Sequence, residues 1–251
     1  MRRTGVRRYK HDGMVVRTRP RYKSDEDICG EVIGADCYRL RHIHGLDPGI
    51  SSVVDLGANI GAFSVFAHRL FPSAQIDAYE MHHANIPLLD RNVSGFATVH
   101  HACVTPLRPE EIVIADSRKH GVLGGSYAFP TGQLDELRTD FYSATAHTGQ
   151  VLCFDELMAA HGHVDLLKLD IESAEDEILR SSATLRRVKW IVGEFHNIDH
   201  WVDAIDNVLP NHNKLIERDP KTPTMGQFVM TTECDLSGFP RVFPERRRKA
   251  T

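Results

Sequence analysis

Short apolar runs alternate with helically spaced apolar residues from about residue 51 to residue 231. The runs predict buried strands, and the intervening spacing of three and four positions predicts amphipathic helices. Strands that alternate with helices are typical of an α/β protein with a mostly parallel sheet and helices on both faces. The predicted strands lie at 53–55, 74–80, 98–103, 164–170, 189–195, 214–217 and 227–231. The predicted helices lie at 63–70, 85–92, 154–161, 173–179 and 198–208.

The two ends of the chain and its middle lack this pattern. Residues 1–47 are polar and basic, and they predict an arm or lid in front of a domain at 48–235. Residues 236–251 predict a basic C-terminal tail, and both ends are expected to be solvated. Within the irregular segment 105–150, residues 120–126 predict a flexible loop. Tyr127 and Phe129 follow this loop and are candidates to cover a substrate.

Composition narrows the class of protein without identifying it. The 251 residues are 41% hydrophobic and 25% charged, with a formal net charge of -4, which argues against a dedicated nucleic-acid binder. The five cysteines are odd in number and form no CxxC pair, so a disulfide framework is not expected. Without an apolar run of about 20 residues or a signal-peptide segment, we expect a soluble, cytoplasmic protein that does not bind membranes.

The stretch SVVDLGANIGAFSVF, residues 52–66, joins a predicted strand to a helix through glycines. A dinucleotide fingerprint uses its second glycine to approach a pyrophosphate, whereas this sequence has Asn59 nearest that place. The preceding Asp55 suits a cationic ligand. S-adenosylmethionine carries a sulfonium, an ammonium and a carboxylate, and backbone amides at a helix start can receive the carboxylate. The predicted cofactor contacts in this turn are Asp55, Gly57, Ala58, Asn59 and Gly61.

The end of the second strand adds a ribose site. Glu80 can accept charge-assisted hydrogen bonds from both ribose hydroxyls. Met81 and His82 follow directly and are predicted to contact the cofactor as well. Because any adenosine cofactor has a ribose, Glu80 leaves a nicotinamide-dependent oxidoreductase open as the alternative.

Three further segments give the sequence a resemblance to a known family. Phe154-Asp155-Glu156-Leu157, the segment DLLKLDIESAE at 165–175 and Gly193-Glu194-Phe195-His196 follow the glycine turn in order. Together these motifs resemble the FkbM-type methyltransferase family over roughly residues 50–235. Ser173 stands where the family usually has glycine, and serine is able to cap the following helix.

The resemblance implies a fold, a cofactor and a reaction. The fold would be a class I (Rossmann-like) methyltransferase fold of seven strands, the last one antiparallel, with S-adenosylmethionine over the first two strand ends. The reaction would be O-methylation of a hydroxyl on a sugar, polysaccharide or polyketide-type metabolite. The acceptor is therefore expected to be a small molecule or oligosaccharide, and a homodimer is plausible for this type of family.

A sugar-type hydroxyl needs a general base or a metal ion to become nucleophilic. The fourth and fifth strand ends offer Asp170, Glu172, Glu194 and His196. Asp170 and Glu194 are candidate Mg²⁺ ligands, with His196 as a third ligand or as the general base. Alternatively, the acids satisfy helix N-termini and pair with Lys168.

The remaining candidates are a lysine and a second histidine. Lys168 lies in an otherwise apolar strand, so it must pair with Asp170 or Glu172, reach solvent or lose its charge. The predicted catalytic residues are accordingly His196, Asp170 and Lys168, and His147 is a second possible base. A nucleic-acid-binding or RNA-modifying protein is a further hypothesis, but the sequence shows no stacking platform or exocyclic-amine motif for it.

Overall fold

An open sheet of eight strands forms the centre of the molecule. The computed structural model describes residues 5–106, 112–117, 126–130, 142–144, 149–172 and 174–242. The strands of these segments are β1 (Arg7–His11), β2 (Met14–Thr18), β3 (Ser52–Leu56), β4 (Gln75–Glu80), β5 (Ala97–Thr105), β6 (Ile112–Ser117), β7 (Ser126–Pro130), β8 (Tyr142–Ala144), β9 (Gln150–Cys153), β10 (Leu166–Leu169), β11 (Trp190–Phe195), β12 (Asn213–Arg218) and β13 (Gly226–Thr231).

Helices connect the strands of the central sheet and precede it. The helices are α1 (Lys23–Cys29), α2 (Leu40–Leu46), α3 (Ala62–Leu70), α4 (Ile86–Val93), α5 (Phe154–His161), α6 (Glu175–Ser181) and α7 (Ile205–Val208). A π-helical turn at Gly30–Gly34 follows α1, and short 3₁₀ turns lie at Ala183–Arg187 and Ile198–His200. Among the described residues, no helix is both long and apolar enough to cross a membrane.

The strand order of the sheet is β12-β13-β11-β10-β3-β4-β5-β9. β10 pairs in parallel with both β3 and β11, whereas β13 is antiparallel to β11 and β12. This arrangement confirms the predicted α/β class and the antiparallel last strand. The predicted count of seven strands is one short, because the four-residue strand β9 adds to the edge next to β5. That strand is too short for periodicity to reveal it.

The central strands are buried on both faces because helices cover both sides of the sheet. Adjacent residues of a strand point to opposite faces. Val53 accordingly packs in one apolar core, with Phe66 of α3 and Leu89 of α4. Its neighbour Val54 packs in the other core, with Phe154 of α5.

The N-terminal segment packs against the sheet. A hairpin of β1 and β2 precedes α1, and residues Val16, Ile33 and Leu40 are fully buried in the same core as Val53. The expectation of a solvated segment is therefore wrong for the described part of 1–47, where apolar side chains are hidden among basic ones. The domain boundaries at 48–235 stay a prediction.

One buried ion pair links the two ends of the chain. Arg39, at the start of α2, pairs with Glu217 of β12, and both side chains are almost completely buried. The Arg39 side chain also donates to the Pro240 carbonyl oxygen. Leu236 and Phe239 are buried as well, so the first part of the predicted tail is anchored to the packed structure.

Several other predictions differ from the structure or lie outside it. The stripe predicted as one helix at 198–208 is a 3₁₀ turn and the short helix α7, and its apolar residues are still buried except for the partly buried Val202. The irregular segment contains β6, β7 and β8, which form a separate three-stranded sheet. Residues 120–125, His147 and Ser173 lie outside the described residues, as do the side chains of Tyr127 and Phe129.

Candidate active site

A cavity of about 460 Å³ opens at the carboxyl ends of β3, β4, β10 and β11. This is the edge of an open α/β sheet where ligands bind. Most of the predicted site residues line it, namely Gly57, Ala58, Asn59, Glu80, Met81, His82, Lys168, Asp170, Glu194 and His196. Asp55 and Gly61 are not among its lining residues.

Gly57 and Gly61, the two glycines of the turn, have different structural roles. Gly57 has a φ of +77°, and a Cβ atom there would lie 1.8 Å from the Asp170 carbonyl oxygen. Gly61 has a φ of +90°, and a Cβ atom there would lie 2.9 Å from side-chain atoms of Leu89 and Val93. Gly57 therefore brings the turn against the end of β10, whereas Gly61 packs α3 on α4. The predicted cofactor contact of Gly61 is not supported.

The backbone amides of the turn already have partners. Gly57 N and Ala58 N each donate to the Tyr79 carbonyl oxygen at 2.9 Å, and Asn59 N donates to Glu80 Oε2 at 2.8 Å. These three groups are thus not free to receive a carboxylate, and the expectation that amides at the start of α3 receive it stays a prediction. The Asn59 side-chain Oδ1 is buried and has no hydrogen-bond partner among the described residues.

Glu80 organises the second strand end. Its buried carboxyl group accepts hydrogen bonds from His82 N at 2.8 Å and from Asn85 Nδ2 at 3.1 Å, besides the one from Asn59 N. Burial raises the pKa of Glu80, although these hydrogen bonds oppose the shift. The contact between Glu80 and a ribose stays a prediction. The ribose hydroxyls would donate to the lone pairs of the Glu80 carboxyl oxygens that these three donors do not use.

The ammonium group of Lys168 has four polar contacts. Its Nζ donates to the carbonyl oxygens of Gly57 at 2.6 Å and Leu56 at 3.2 Å. It also lies 3.3 Å from Asp55 Oδ1 and 3.5 Å from Asp170 Oδ2. Burial alone would lower the pKa of Lys168, but the two carboxylates outweigh it and raise that pKa. Lys168 therefore stays charged, as expected for the structural ion-pair alternative, and its catalytic role stays a prediction.

Asp55 faces this internal cation and not the cavity. Its side chain is fully buried, and Ser64 Oγ donates to its Oδ2 at 2.7 Å. The prediction that Asp55 contacts a cationic cofactor is therefore not supported, since Lys168 already neutralises the charge. Asp55 and Lys168 are register partners on β3 and β10, and the sequence alone does not reveal this pairing.

His196 lies between two glutamates. Its Nδ1 is 3.5 Å from Glu175 Oε2, and its Nε2 is 3.6 Å from Glu172 Oε2. Burial disfavours the charged imidazolium, but Glu175, Glu172 and Asp170 outweigh burial and raise the pKa of His196 to about 10. His196 is thus a cation near neutral pH, which argues against it as the general base.

Two carboxyl groups near His196 have raised pKa values. Burial and the charge of Asp170 raise the pKa of Glu172 to about 8, and the same two causes raise the pKa of Glu194. Asp170 itself accepts a hydrogen bond of 2.8 Å from Tyr38 Oη. A carboxyl group with a pKa near neutrality is suited to proton transfer.

The predicted magnesium ligands do not form a ready metal site. Across the described parts of the chain, no three His, Cys, Asp or Glu side chains are arranged to hold a metal ion. Asp170 already contacts Lys168 and Tyr38, and the raised pKa of His196 disfavours the neutral imidazole that a metal ligand needs. The site of Asp170, Glu194 and His196 therefore stays a prediction without support from this arrangement.

The sequence analysis missed several residues of the cavity wall. Glu31, Cys37 and Tyr38 come from the N-terminal segment, whose pattern was too weak to place them. Gln227 comes from β13. A signal for Gln227 did exist, because an antiparallel last strand begins at the edge where the parallel strands end. Its first polar residue is therefore placed at the site.

The match to a known family covers most of the site. Residues 55–216 match the methyltransferase FkbM domain, which is well over half of the 251-residue chain. With the sheet order described above, the chain is a class I methyltransferase, and S-adenosylmethionine is the cofactor of this class. It belongs to the FkbM methyltransferase family. The nicotinamide-dependent oxidoreductase is not supported.

Individual relatives are more distant. The chain is 26% identical over 220 residues to the 31-O-demethyl-FK506 methyltransferase FkbM of Streptomyces tacrolimicus, covering 76% of this chain and 82% of that protein. A solved structure from Streptococcus mutans, provisionally described as an S-adenosylmethionine-dependent methyltransferase, is 9% identical with a TM-score of 0.47 and covers 90% of this chain. The Pyrococcus abyssi tRNA (uracil-54, C5)-methyltransferase in complex with S-adenosyl-L-homocysteine is 12% identical with a TM-score of 0.44 and covers 90%. The chain spans 55% and 44% of the lengths of these two structures, and at such TM-scores neither supports a conclusion.

Proposed function

We propose that the protein methylates a hydroxyl group of a sugar, polysaccharide or polyketide-type metabolite. One observation carries the proposal: the glycine turn after β3 and the carboxyl group of Glu194 line the same cavity. The first can hold a cofactor and the second can accept a proton. The name of the Streptomyces tacrolimicus relative refers to an oxygen that lacks its methyl group, which supports an oxygen acceptor here.

The residues around the turn fit the cofactor. Asn59 Oδ1 is a buried acceptor without a partner, so it suits an amino or hydroxyl donor of a ligand. Ala58, Glu80 and His82 line the same part of the cavity. When bound, S-adenosylmethionine supplies an electrophilic methyl group and is left as S-adenosylhomocysteine.

Glu194 is the general base of this proposal. A sugar-type hydroxyl hardly ionises near neutral pH, so a base must take its proton as the new oxygen–carbon bond forms. Glu172 is less suited because it faces the His196 imidazolium at 3.6 Å. The raised pKa of Glu194 strengthens it as a proton acceptor. The imidazolium of His196, fixed by Glu175, balances negative charge beside the base.

Magnesium assistance is the alternative way to ionise the acceptor. Asp170 and Glu194 would be its oxygen ligands, and Mg²⁺ would lower the pKa of the hydroxyl. This route would require Asp170 to release Lys168 or Tyr38, so the base route is preferred.

Calorimetric titration with S-adenosylhomocysteine, with and without Mg²⁺ and with NAD in parallel, tests the cofactor. We expect S-adenosylhomocysteine to bind and NAD not to bind. The variant Asn59→Ala should weaken binding, whereas Asn213→Ala, at an exposed position of β12, should not. Binding of NAD alone would overturn the proposal.

Transfer of a labelled methyl group to a panel of sugars and other alcohols tests the acceptor. An oxygen–methyl ether resists mild base, whereas a methyl ester does not, so base treatment of the product separates the two. If every labelled product is base-sensitive or nitrogen-linked, the proposed acceptor is wrong. Activity that appears only with Mg²⁺ would favour the metal route.

A further inference from the structure

Gln227 has an unsatisfied polar group in the cavity. Its side chain is 9% exposed, and its Oε1 is buried without a hydrogen-bond partner among the described residues. Leaving such a group unpaired is costly, so its persistence requires an explanation. Because Gln227 lines the cavity, a ligand is the available source of a donor.

Gln227 lies directly beside the proposed base. Glu194 of β11 and Gln227 of β13 are register partners in the antiparallel pair. Such partners point to the same face, with Cβ atoms about 5 Å apart. Since glutamate and glutamine side chains have the same length, the two groups can reach neighbouring atoms of one ligand.

The nearby donors of the protein are committed elsewhere. The Arg39 guanidinium is paired with Glu217, which is the partner of Gln227 on β12. The Tyr38 hydroxyl group donates to Asp170 at 2.8 Å. The donor for Gln227 Oε1 is thus expected from the ligand, and not from these side chains.

The same end of the cavity is rich in hydrogen-bond acceptors. Glu31, Glu172 and Glu194 line it together with Gln227. A ligand that fits must therefore bring several donors. Hydroxyl groups are donors of this kind, and because Gln227 carries no charge, its Oε1 can pair with a neutral hydroxyl group of a ligand.

We propose that Gln227 selects the acceptor by accepting a hydrogen bond from a second hydroxyl, adjacent to the one that Glu194 deprotonates. The acceptor class is then a neutral polyol with neighbouring hydroxyl groups. This inference rests on the proposed function and adds the residue that recognises the non-reacting hydroxyl.

The test compares cis-1,2-cyclohexanediol with cyclohexanol as acceptors at saturating S-adenosylmethionine, with release of S-adenosylhomocysteine as the readout. Wild-type kcat/KM should be at least about tenfold higher for the diol, since a site built for a hydroxyl disfavours an analogue without it. In Gln227→Leu this ratio should fall to about one, because kcat/KM for the diol falls more than kcat/KM for cyclohexanol. Gln227→Glu keeps an acceptor atom and should keep part of the preference. Gln75→Leu, at an exposed position of β4, should leave the ratio unchanged.

Several results would overturn the inference. A diol preference that survives in Gln227→Leu would remove Gln227 from acceptor selection, and equal turnover of both alcohols by the wild type would remove the polyol class. Preference for 2-aminocyclohexanol over the diol would assign an ammonium ligand instead. Binding of S-adenosylhomocysteine without turnover of any diol would also reject the polyol class. Absence of that binding would instead mark failure of the proposed function.

Discussion

The ammonium group of Lys168 lies 3.3 Å from the Asp55 carboxylate in the middle of the central sheet. The two residues are register partners on β10 and β3, and both are buried. Because Lys168 Nζ also donates to the Gly57 carbonyl oxygen, it fixes the glycine turn to β10. The pair therefore supports the position of the glycine turn, and a catalytic role of Lys168 stays a prediction.

Replacing Lys168 should destabilise the fold strongly. In Lys168→Met the Asp55 carboxylate stays buried without its partner, which costs about 3–5 kcal/mol of unfolding free energy. Urea unfolding measures this loss. The matched control is Lys214→Met, because the partner of Lys214, Asp206, is exposed, and the cost there should be below about 1 kcal/mol.

A double variant separates the effect of the unpaired Asp55 charge from the effect of the lost Lys168 packing. The double variant Asp55→Asn with Lys168→Met removes both charges and should be more stable than Lys168→Met alone. Equal stability of Lys168→Met and Lys214→Met would show that the pair does not hold the sheet centre.

Gly57 should not tolerate a side chain. A Cβ atom would lie 1.8 Å from the Asp170 carbonyl oxygen, so Gly57→Ala must move the turn or β10. Gly95→Ala is the control, because Gly95 also has a positive φ (+93°) but nothing within 4 Å of its Cβ position. The control should cost about 1–2 kcal/mol for its backbone conformation, and Gly57→Ala at least about 1–3 kcal/mol more.

Thermal or urea unfolding of the two glycine variants gives this difference directly. Gly57→Ala should also weaken binding of S-adenosylhomocysteine, whereas Gly95→Ala should not. Similar unfolding free energies for both variants would mean that the close approach to Asp170 is not required.

Most of the fold could be predicted because its central strands have a distinctive apolar sequence pattern. Residues 53–56 and 166–169 are buried on both faces, and they appear in the sequence as short apolar runs, each interrupted by one charged residue, Asp55 or Lys168. The N-terminal segment could not be predicted in this way. Its buried residues, such as Val16 and Ile33, are separated by basic and acidic ones and follow no sustained period.

The site was predictable as a set of residues but not as a set of contacts. Strand ends identify Glu80, Asp170 and Glu194, since parallel strands end at one edge of the sheet. Register is a property of the folded sheet, so the pairing of Lys168 with Asp55 was not visible. The raised pKa of His196 likewise depends on Glu175, which is the first residue of α6 and is distant from β11 in sequence.

Removal of the proposed base should slow methyl transfer without loss of the cofactor. Glu194→Gln keeps the size of the side chain but cannot accept the proton, so kcat should fall by about 10²–10⁴-fold. Affinity for S-adenosylhomocysteine should stay within about threefold, because the predicted cofactor contacts follow β3 and β4 and are not on β11.

Steady-state kinetics and calorimetry on the same preparation check both statements. Glu233→Gln, an exposed glutamate, is the control and should behave as wild type. Retention of more than about half of the wild-type kcat by Glu194→Gln would reject Glu194 as the base.

The charge on His196 should make stability depend on pH. Burial opposes the charge, but Glu175, Glu172 and Asp170 raise the pKa of His196 to about 10, compared with about 6.5 in an unfolded chain. The folded protein therefore binds this proton more tightly than the unfolded one. The resulting stabilisation is complete below pH of about 6.5 and is lost as pH rises through about 10.

Glu172 acts in the same direction over a lower range. Burial and Asp170 raise the pKa of Glu172 from 4.5 to about 8, so the folded state again binds the proton more tightly. Its contribution is largest below pH of about 4.5 and decreases as pH rises towards about 8. The melting temperature of the wild type should consequently fall as pH rises from about 5 to about 10.

The variant His196→Gln isolates the histidine contribution. It should be destabilised most near pH of about 6, and its difference from the wild type should narrow as pH approaches about 10. Urea unfolding across this range measures the difference, with His200→Gln as the control for loss of an exposed imidazole. That control should change the unfolding free energy by less than about 0.5 kcal/mol. A difference for His196→Gln that stays constant over the whole range would show that His196 carries no charge in the folded protein, and His196 would then return as a candidate for the general base.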